Sequence, residues 1–154
     1  MSDSFFQYLK AVNPIDDDEA TVGYQHRLNV LEKGAQMVYR WPVDDIDKAI
    51  ADTILALDIE KVSANLSQVV PAWNYRSTRQ QEILTDYQLF LGNVEKTYPK
   101  FYEAVLTRNI KEQREHYKMY YRDSDGRERE HFDRNKLFYS RYLSPVAVKG
   151  WDRL

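Results

Sequence analysis

Five prolines divide the chain, and the segments between them limit what it can fold into. They stand at Asn13-Pro14, Trp41-Pro42, Val70-Pro71, Tyr98-Pro99 and Ser144-Pro145. A residue before proline avoids the right-handed helical region, so four of these points are read as stops. Proline is favoured in the first turn of a helix, where its missing N–H costs nothing, so Pro99 is read as a start.

Between the breaks, apolar residues recur at helical spacing. Phe5, Phe6 and Leu9 share one face of a short helix that Asp3 or Ser4 can cap. Tyr24, Leu28, Leu31, Ala35, Val38 and Tyr39 mark a second helix from about Asp17 to Lys33 or beyond. Asp44-Asp45 can cap a third, with Ile46, Ala49, Ile50, Thr53, Ile54 and Leu57 inward. Asp58 then either begins a short fourth helix or lets the third run on through Ile59, Val62, Leu66 and Val69. Ala72–Arg76 reads as a connector and the best candidate for a subdomain break, near 71–76, within a single helical domain spanning 1–154.

Ser77-Thr-Arg-Gln80 has the form of a capping box before a helix carrying Ile83, Leu84, Tyr87, Phe90, Leu91 and Val94. The longest helix is expected from Pro99 to Tyr121, with Phe101, Val105 and Ile110 on its inner face. Asp123-Ser-Asp-Gly126 is a turn, and Asp125–Glu128 can cap a last helix over 127–143 that buries Phe132, Phe138 and Tyr142. A β-hairpin around Asp125-Gly126, over 117–132, is the alternative for this stretch. Val146–Leu154 is read as extended, because Gly150 lies inside it and Ser144-Pro145 points the chain away. Its Trp151 has to dock, and a groove on an adjacent subunit is the favoured place. The fold class expected is all-α, an irregular bundle of five to six helices with a short extended C-terminal tail.

Composition narrows the chemistry. The 154 residues contain no cysteine, which excludes disulfides, thiol catalysis, iron–sulfur clusters and cysteine zinc sites. No apolar run approaches the roughly 20 residues of a membrane span. Met1–Phe6 lacks the basic and apolar regions of a classical signal peptide, so a cytoplasmic or virion location is expected. There is no P-loop, no G-x-G-x-x-G and no G-x-S-x-G. Glu128-x-x-His131 has the spacing of a di-iron ligand pair but no second copy. Asp123-x-Asp125-Gly126 resembles a fragment of a calcium loop without the ligands before and after it. Asp44, Asp45, Asp47, Asp52 and Asp58 form the only cluster suited to a carboxylate-metal enzyme. Helix-capping turns and solvated faces account for all of these residues, so no catalytic residue, metal or cofactor is expected.

Charge and aromatics are uneven. Residues 1–77 carry seven Lys/Arg against twelve Asp/Glu, and residues 78–154 carry fifteen against twelve. Thirteen of the twenty-one aromatics fall in the second half. Within 96–141, Arg108, Arg114, Arg122, Arg127 and Arg129 interleave with Tyr117, Tyr120, Tyr121, Tyr139 and Tyr142. Arg and Tyr suit phosphate contact with base stacking, and they are also the anchors enriched at protein interfaces. Glu112, Glu115, Glu128, Glu130 and Asp133 interrupt the basic set, which favours protein contact. These ten residues and Trp151 are the candidate partner-binding set. The function expected is a non-enzymatic structural or adaptor subunit that binds itself or other subunits, a virion-type structural protein being one form. Nucleic-acid binding through 96–141 is the alternative, and a carboxylate-metal enzyme the third.

Overall fold

The computed structural model describes residues 2–13, 21–22, 26–27 and 48–153, which group into two compact units, Met1–Val69 and Val70–Leu154. Among the described residues the chain is mainly α-helical, with eight α-helices and two short two-stranded ribbons.

In the first unit, α1 spans Asp3–Val12. Its cap is Ser2, whose Oγ accepts from the Phe5 N–H at 3.2 Å. Phe5, Tyr8, Leu9 and Val12 are buried at helical spacing. Helix α2 runs unbroken over Lys48–Val69, so Asp58 lies inside it. Its buried residues are Ala51, Leu55, Ile59 and Leu66, whereas Ile50 and Leu57 are about half exposed. Ile59 and Leu66 face inward as expected, whereas over residues 49–57 the inner face is rotated from the one expected. Apolar residues occur on every side of this helix, so spacing alone does not select a face. Lys10 of α1 and Asp52 of α2 form an ion pair of 3.0 Å.

A second correction concerns the helix expected from Asp17. Thr21–Val22 (β1) pairs antiparallel with His26–Arg27 (β2), Thr21 opposite Arg27. Two β-branched residues followed by Gly23 favour a strand over a helix. The rest of that expected helix, with Trp41 and the Asp44-Asp45 cap, lies outside the described residues.

The second unit begins with a short turn, Trp73–Tyr75, then α3 at Thr78–Leu91. The capping box is present: Gln80 N–H donates to Ser77 Oγ, and Ser77 N–H donates to Gln80 Oε1. Gly92, at φ 86°, ends α3 in a conformation that favours glycine. Helix α4 is one turn, Val94–Thr97, and α5 is Pro99–Leu106 with Pro99 in its first turn.

The long helix expected from Pro99 to Tyr121 is not one helix. Arg108 takes a left-handed φ of 57°, and Asn109 restarts the chain as the cap of α6, Ile110–His116, its Oδ1 accepting from the Glu112 N–H at 3.1 Å. A cap residue that bonds the backbone three positions on competes directly with helix continuation. Beyond Tyr117 the chain is extended. Tyr120–Arg122 (β3) and Glu128–Glu130 (β4) form an antiparallel hairpin, Tyr121 opposite Arg129. The expected second capping box at Asp125–Glu128 is thus replaced by a hairpin turn. Asp123 holds it, its Oδ1 accepting from the Asp125 and Arg127 N–H groups at 2.9 Å each, while Gly126 supplies a φ of 77°. The last helix correspondingly starts late: α7 is Phe132–Phe138, continuing as a π-turn over Tyr139–Leu143.

The tail is the fourth correction. Pro145–Asp152 is helix α8, capped by Ser144, whose Oγ accepts from the Ala147 N–H at 3.1 Å. Pro145 stops the preceding element and, in the first turn, also starts the next.

The core of this unit is aromatic. Tyr87 of α3 stacks on Phe101 at 4.4 Å and meets Phe138 edge-on at 5.2 Å, and its hydroxyl donates to the Tyr117 carbonyl. Ile83, Leu84, Val105, Met119 and Leu143 are fully buried in the same unit. Because the helices are short, each leaves unsatisfied carbonyls at its end. Side chains from neighbouring elements fill this need. The Val105 and Leu106 carbonyls accept from Gln80 Nε2 (2.9 Å) and Arg76 Nη1 (3.0 Å), and Ala104 accepts from Gln113 Nε2 (3.0 Å). At the end of the π-turn, Arg141, Tyr142 and Leu143 accept from Trp151 Nε1 (2.9 Å), Arg79 Nη2 (2.9 Å) and Arg114 Nη2 (2.7 Å).

Candidate functional site

Apart from Arg108, the candidate residues separate into those bonded or packed within the second unit and those presented at its hairpin. Arg114, although exposed, and Trp151, half-buried, belong to the first group. Arg114 grips the Leu143 carbonyl through Nε and Nη2, placing a cation at a helix C-terminus where the dipole favours it. Trp151 stacks on Tyr142 at 5.8 Å and donates to the Arg141 carbonyl, so it docks on its own chain. The physical reason is α8: the helix turns Trp151 back onto the π-turn.

Tyr142 is fully buried, and Tyr117 nearly so. The Tyr142 hydroxyl donates to Glu82 at 2.8 Å, and burial, with the Glu82 charge beside it, pushes this phenol well above its usual range. Tyr117 stacks on Phe138 at 5.9 Å and lies against Tyr139, which is half-buried. Tyr142 and Tyr117 are core, out of reach of a partner in this conformation. Arg108 is exposed in the link between α5 and α6, apart from the rest.

Two further basic residues of the segment are also bound internally. Arg134 is buried and forks onto Asp86 at 2.6 and 3.2 Å, its guanidinium 4.4 Å from the Phe90 ring centre. Arg141 meets Glu82 at 2.8 Å. Arg79 has no such carboxylate; it donates to Gln113 and to the Tyr142 carbonyl, and burial lowers it to about 10.

Five candidates remain together, on the hairpin: Tyr120, Tyr121 and Arg122 on β3, Arg127 in the turn, Arg129 on β4. The base of the hairpin is rigidly held. Asn135 Oδ1 accepts from the Met119 N–H at 2.9 Å, and its Nδ2 donates to the Met119 carbonyl at 3.1 Å. Its tip is held by Asp123, which the Arg129 side chain and the Arg127 and Asp125 N–H groups keep below the usual carboxylate range. Lys118 pairs with Glu130 at 3.7 Å, a solvent-screened contact.

Tyr120 and Tyr121 are 46% and 45% exposed, and Phe132, two residues beyond β4, is 66% exposed. Phe132 was expected in the core. It faces solvent because α7 begins only at this residue, so the turn that was to bury it does not exist. Tyr121 lies 4.6 Å from His131, and His131 meets Phe90 edge-on at 5.3 Å. Desolvation, and then the Arg134 charge, lower His131 below its ordinary value, so it favours the neutral form. Exposed Phe132 and half-buried His131 lie outside the expected candidate set; the hairpin signal of Asp125-Gly126 is the clue that places them.

On α6, the carboxylates of Glu112 and Glu115 and the imidazole of His116 lie within 4.8 Å of one another, with His116 Nε2 3.3 Å from Glu112. These are partly exposed side chains of a single short helix. Of the expected aspartate cluster, Asp44, Asp45 and Asp47 lie outside the described residues, Asp52 faces Lys10, and Asp58 is half-buried on α2. Among the described residues, no helix is long and apolar enough to cross a membrane. No family model, curated protein or solved structure matches this chain.

Proposed function

We propose that this protein is a non-enzymatic structural or adaptor subunit, and that it associates with protein through the hairpin end of its second unit. The observation that carries this reading is the exposure of Tyr120, Tyr121 and Phe132 beside a hairpin fixed at base and tip. Exposed aromatics on a preorganised scaffold are the anchors of protein interfaces, because little entropy is lost on contact. The charges argue the same way. Arg122, Arg127 and Arg129 alternate with Asp123, Asp125, Glu128 and Glu130, a balanced set that repels a continuous phosphate backbone as much as it attracts one. Arg114, Arg134 and Arg141, which would complete a basic track, are bound internally.

Light-scattering mass across protein concentration tests this. The expected result is a mass above the monomer that returns to monomer in Tyr120→Ser/Phe132→Ser, with no change on adding DNA or RNA. A monomer at every concentration would overturn self-association. Salt-sensitive retention on nucleic acid, lost in Arg122→Ala/Arg127→Ala, would replace it with the nucleic-acid reading.

A further inference from the structure

We infer that the open edge of β3 pairs with the same edge of a second copy, in a single antiparallel register that sets Tyr121 against Tyr121 and Tyr120 against Arg122. The inference rests on the protein-association reading above and specifies its partner and contact.

The hydrogen-bond pattern of the hairpin determines which backbone groups are available. Asp123 N–H donates to the Arg127 carbonyl, and His131 N–H to the Met119 carbonyl, both at 2.9 Å. In an antiparallel ladder, bonded and non-bonded pairs alternate. Residues 119, 121 and 123 therefore point their backbone groups at β4. Those of Tyr120 and Arg122, and of Glu128 and Glu130 on the other strand, point outward. Among the described residues the ribbon has two strands only, and no backbone partner is recorded for these outward groups. Each edge is thus a template for a further strand.

The two edges differ in what they accept. An added strand must place its own outward groups opposite those of the edge, which restricts the registers. For β4 against β4, every permitted register opposes like charges. Glu128 faces Glu130 with Arg129 against Arg129, or Glu128 or Glu130 faces itself. Like charges directly opposite destabilise a ladder, so this edge rejects its own copy.

For β3 against β3 one register avoids this. With Tyr120 opposite Arg122 of the second copy, and the reverse by symmetry, each pair exchanges backbone bonds and sets a guanidinium against a phenol ring. Tyr121 then meets Tyr121 as the non-bonded pair, where side chains approach most closely. Shifting by two residues in one direction opposes Lys118 and Arg122, and in the other opposes Arg122 and Arg122. A two-fold contact of this kind closes on itself, giving a dimer and not a fibre.

The absence of cysteine makes the register directly readable, because any disulfide must come from an introduced thiol. Singly substituted proteins are oxidised in the full chain. Tyr121→Cys should form a disulfide-linked dimer in high yield, since a non-bonded pair brings its Cβ atoms near disulfide range. Tyr120→Cys and Arg122→Cys should each crosslink poorly alone, and several-fold more when mixed. Efficient crosslinking of Glu128→Cys with none at Tyr121→Cys would overturn the inference. If the wild-type protein exceeds monomer mass while Tyr121→Cys does not crosslink, this contact is wrong and the protein-association reading stands. If the wild type is monomeric at all concentrations, self-association itself fails. Circular dichroism confirms that each variant is folded before it is scored.

Discussion

Asp86 and Arg134 are 48 positions apart in sequence and both nearly inaccessible, yet they meet as a forked ion pair. Removing one partner leaves a buried charge uncompensated, at a cost of about 3–5 kcal/mol. Asp86→Ala should therefore fail to fold or melt far lower by circular dichroism. Replacing both partners, as Asp86→Leu with Arg134→Met, should recover most of that loss. Equal melting of the single and double variants would show that the pair is not the cause. His131 gives the pH dependence. Its pKa is lowered on folding, so the unfolded chain binds the proton more readily. The neutral ring stabilises the fold above the ordinary histidine value of about 6.5, and that contribution is lost as pH falls through the lower, folded value. An NMR titration of His131 should give a midpoint below that of an unfolded reference peptide, and His131→Asn should flatten the melting temperature across this window. Neither role was legible in the sequence. Glu82 and Asp86 stand one turn apart on α3 and resemble surface acids, and only the return of α7 and the π-turn makes them interior.

The elements that were legible are those announced by their own residues. Ser77 and Gln80 form the expected capping box, and Pro99 sits in the first turn expected of it. What misled was periodicity carried across a break. Phe101, Val105 and Ile110 keep helical spacing, yet Asn109 caps a new helix that ends at Tyr117. Spacing cannot register a cap that interrupts it. Gly126→Ala should cost about 1 kcal/mol, because a side chain is disfavoured at positive φ, and the loss should appear as faster amide exchange in β3 and β4. Uniform exchange changes across the unit would indicate that the hairpin is not a separate element. The tail was misread for a related reason, since Pro145 both ends one helix and begins another. Trp151→Ala removes a stacked ring and a hydrogen bond to the Arg141 carbonyl, so a loss of about 2 kcal/mol is expected in denaturant unfolding, with oligomeric mass unchanged. An altered mass at unaltered stability would return Trp151 to an intermolecular role.

At the scale of the molecule, most aromatic rings of the second unit are buried or half-buried while most of its basic residues are exposed, and the hairpin presents Tyr120, Tyr121, Arg122, Arg127 and Arg129 at the surface. Arg76, Arg79, Arg114 and Arg141 tie helix ends and buried carboxylates together, and Tyr87, Tyr117 and Tyr142 are core. The sequence shows a basic, tyrosine-rich segment, but not which members are turned inward, because that depends on contacts between residues far apart in the chain. On the proposed reading, the ribbon is the place where the molecule meets another. Residue-resolved amide hydrogen exchange at low and high protein concentration tests this most directly. The Tyr120 and Arg122 N–H groups point outward and should gain protection as concentration rises, while Tyr121, already paired with Arg129, should change little. Unchanged exchange at Tyr120 and Arg122, with new protection appearing instead on α6 or α8, would contradict the account.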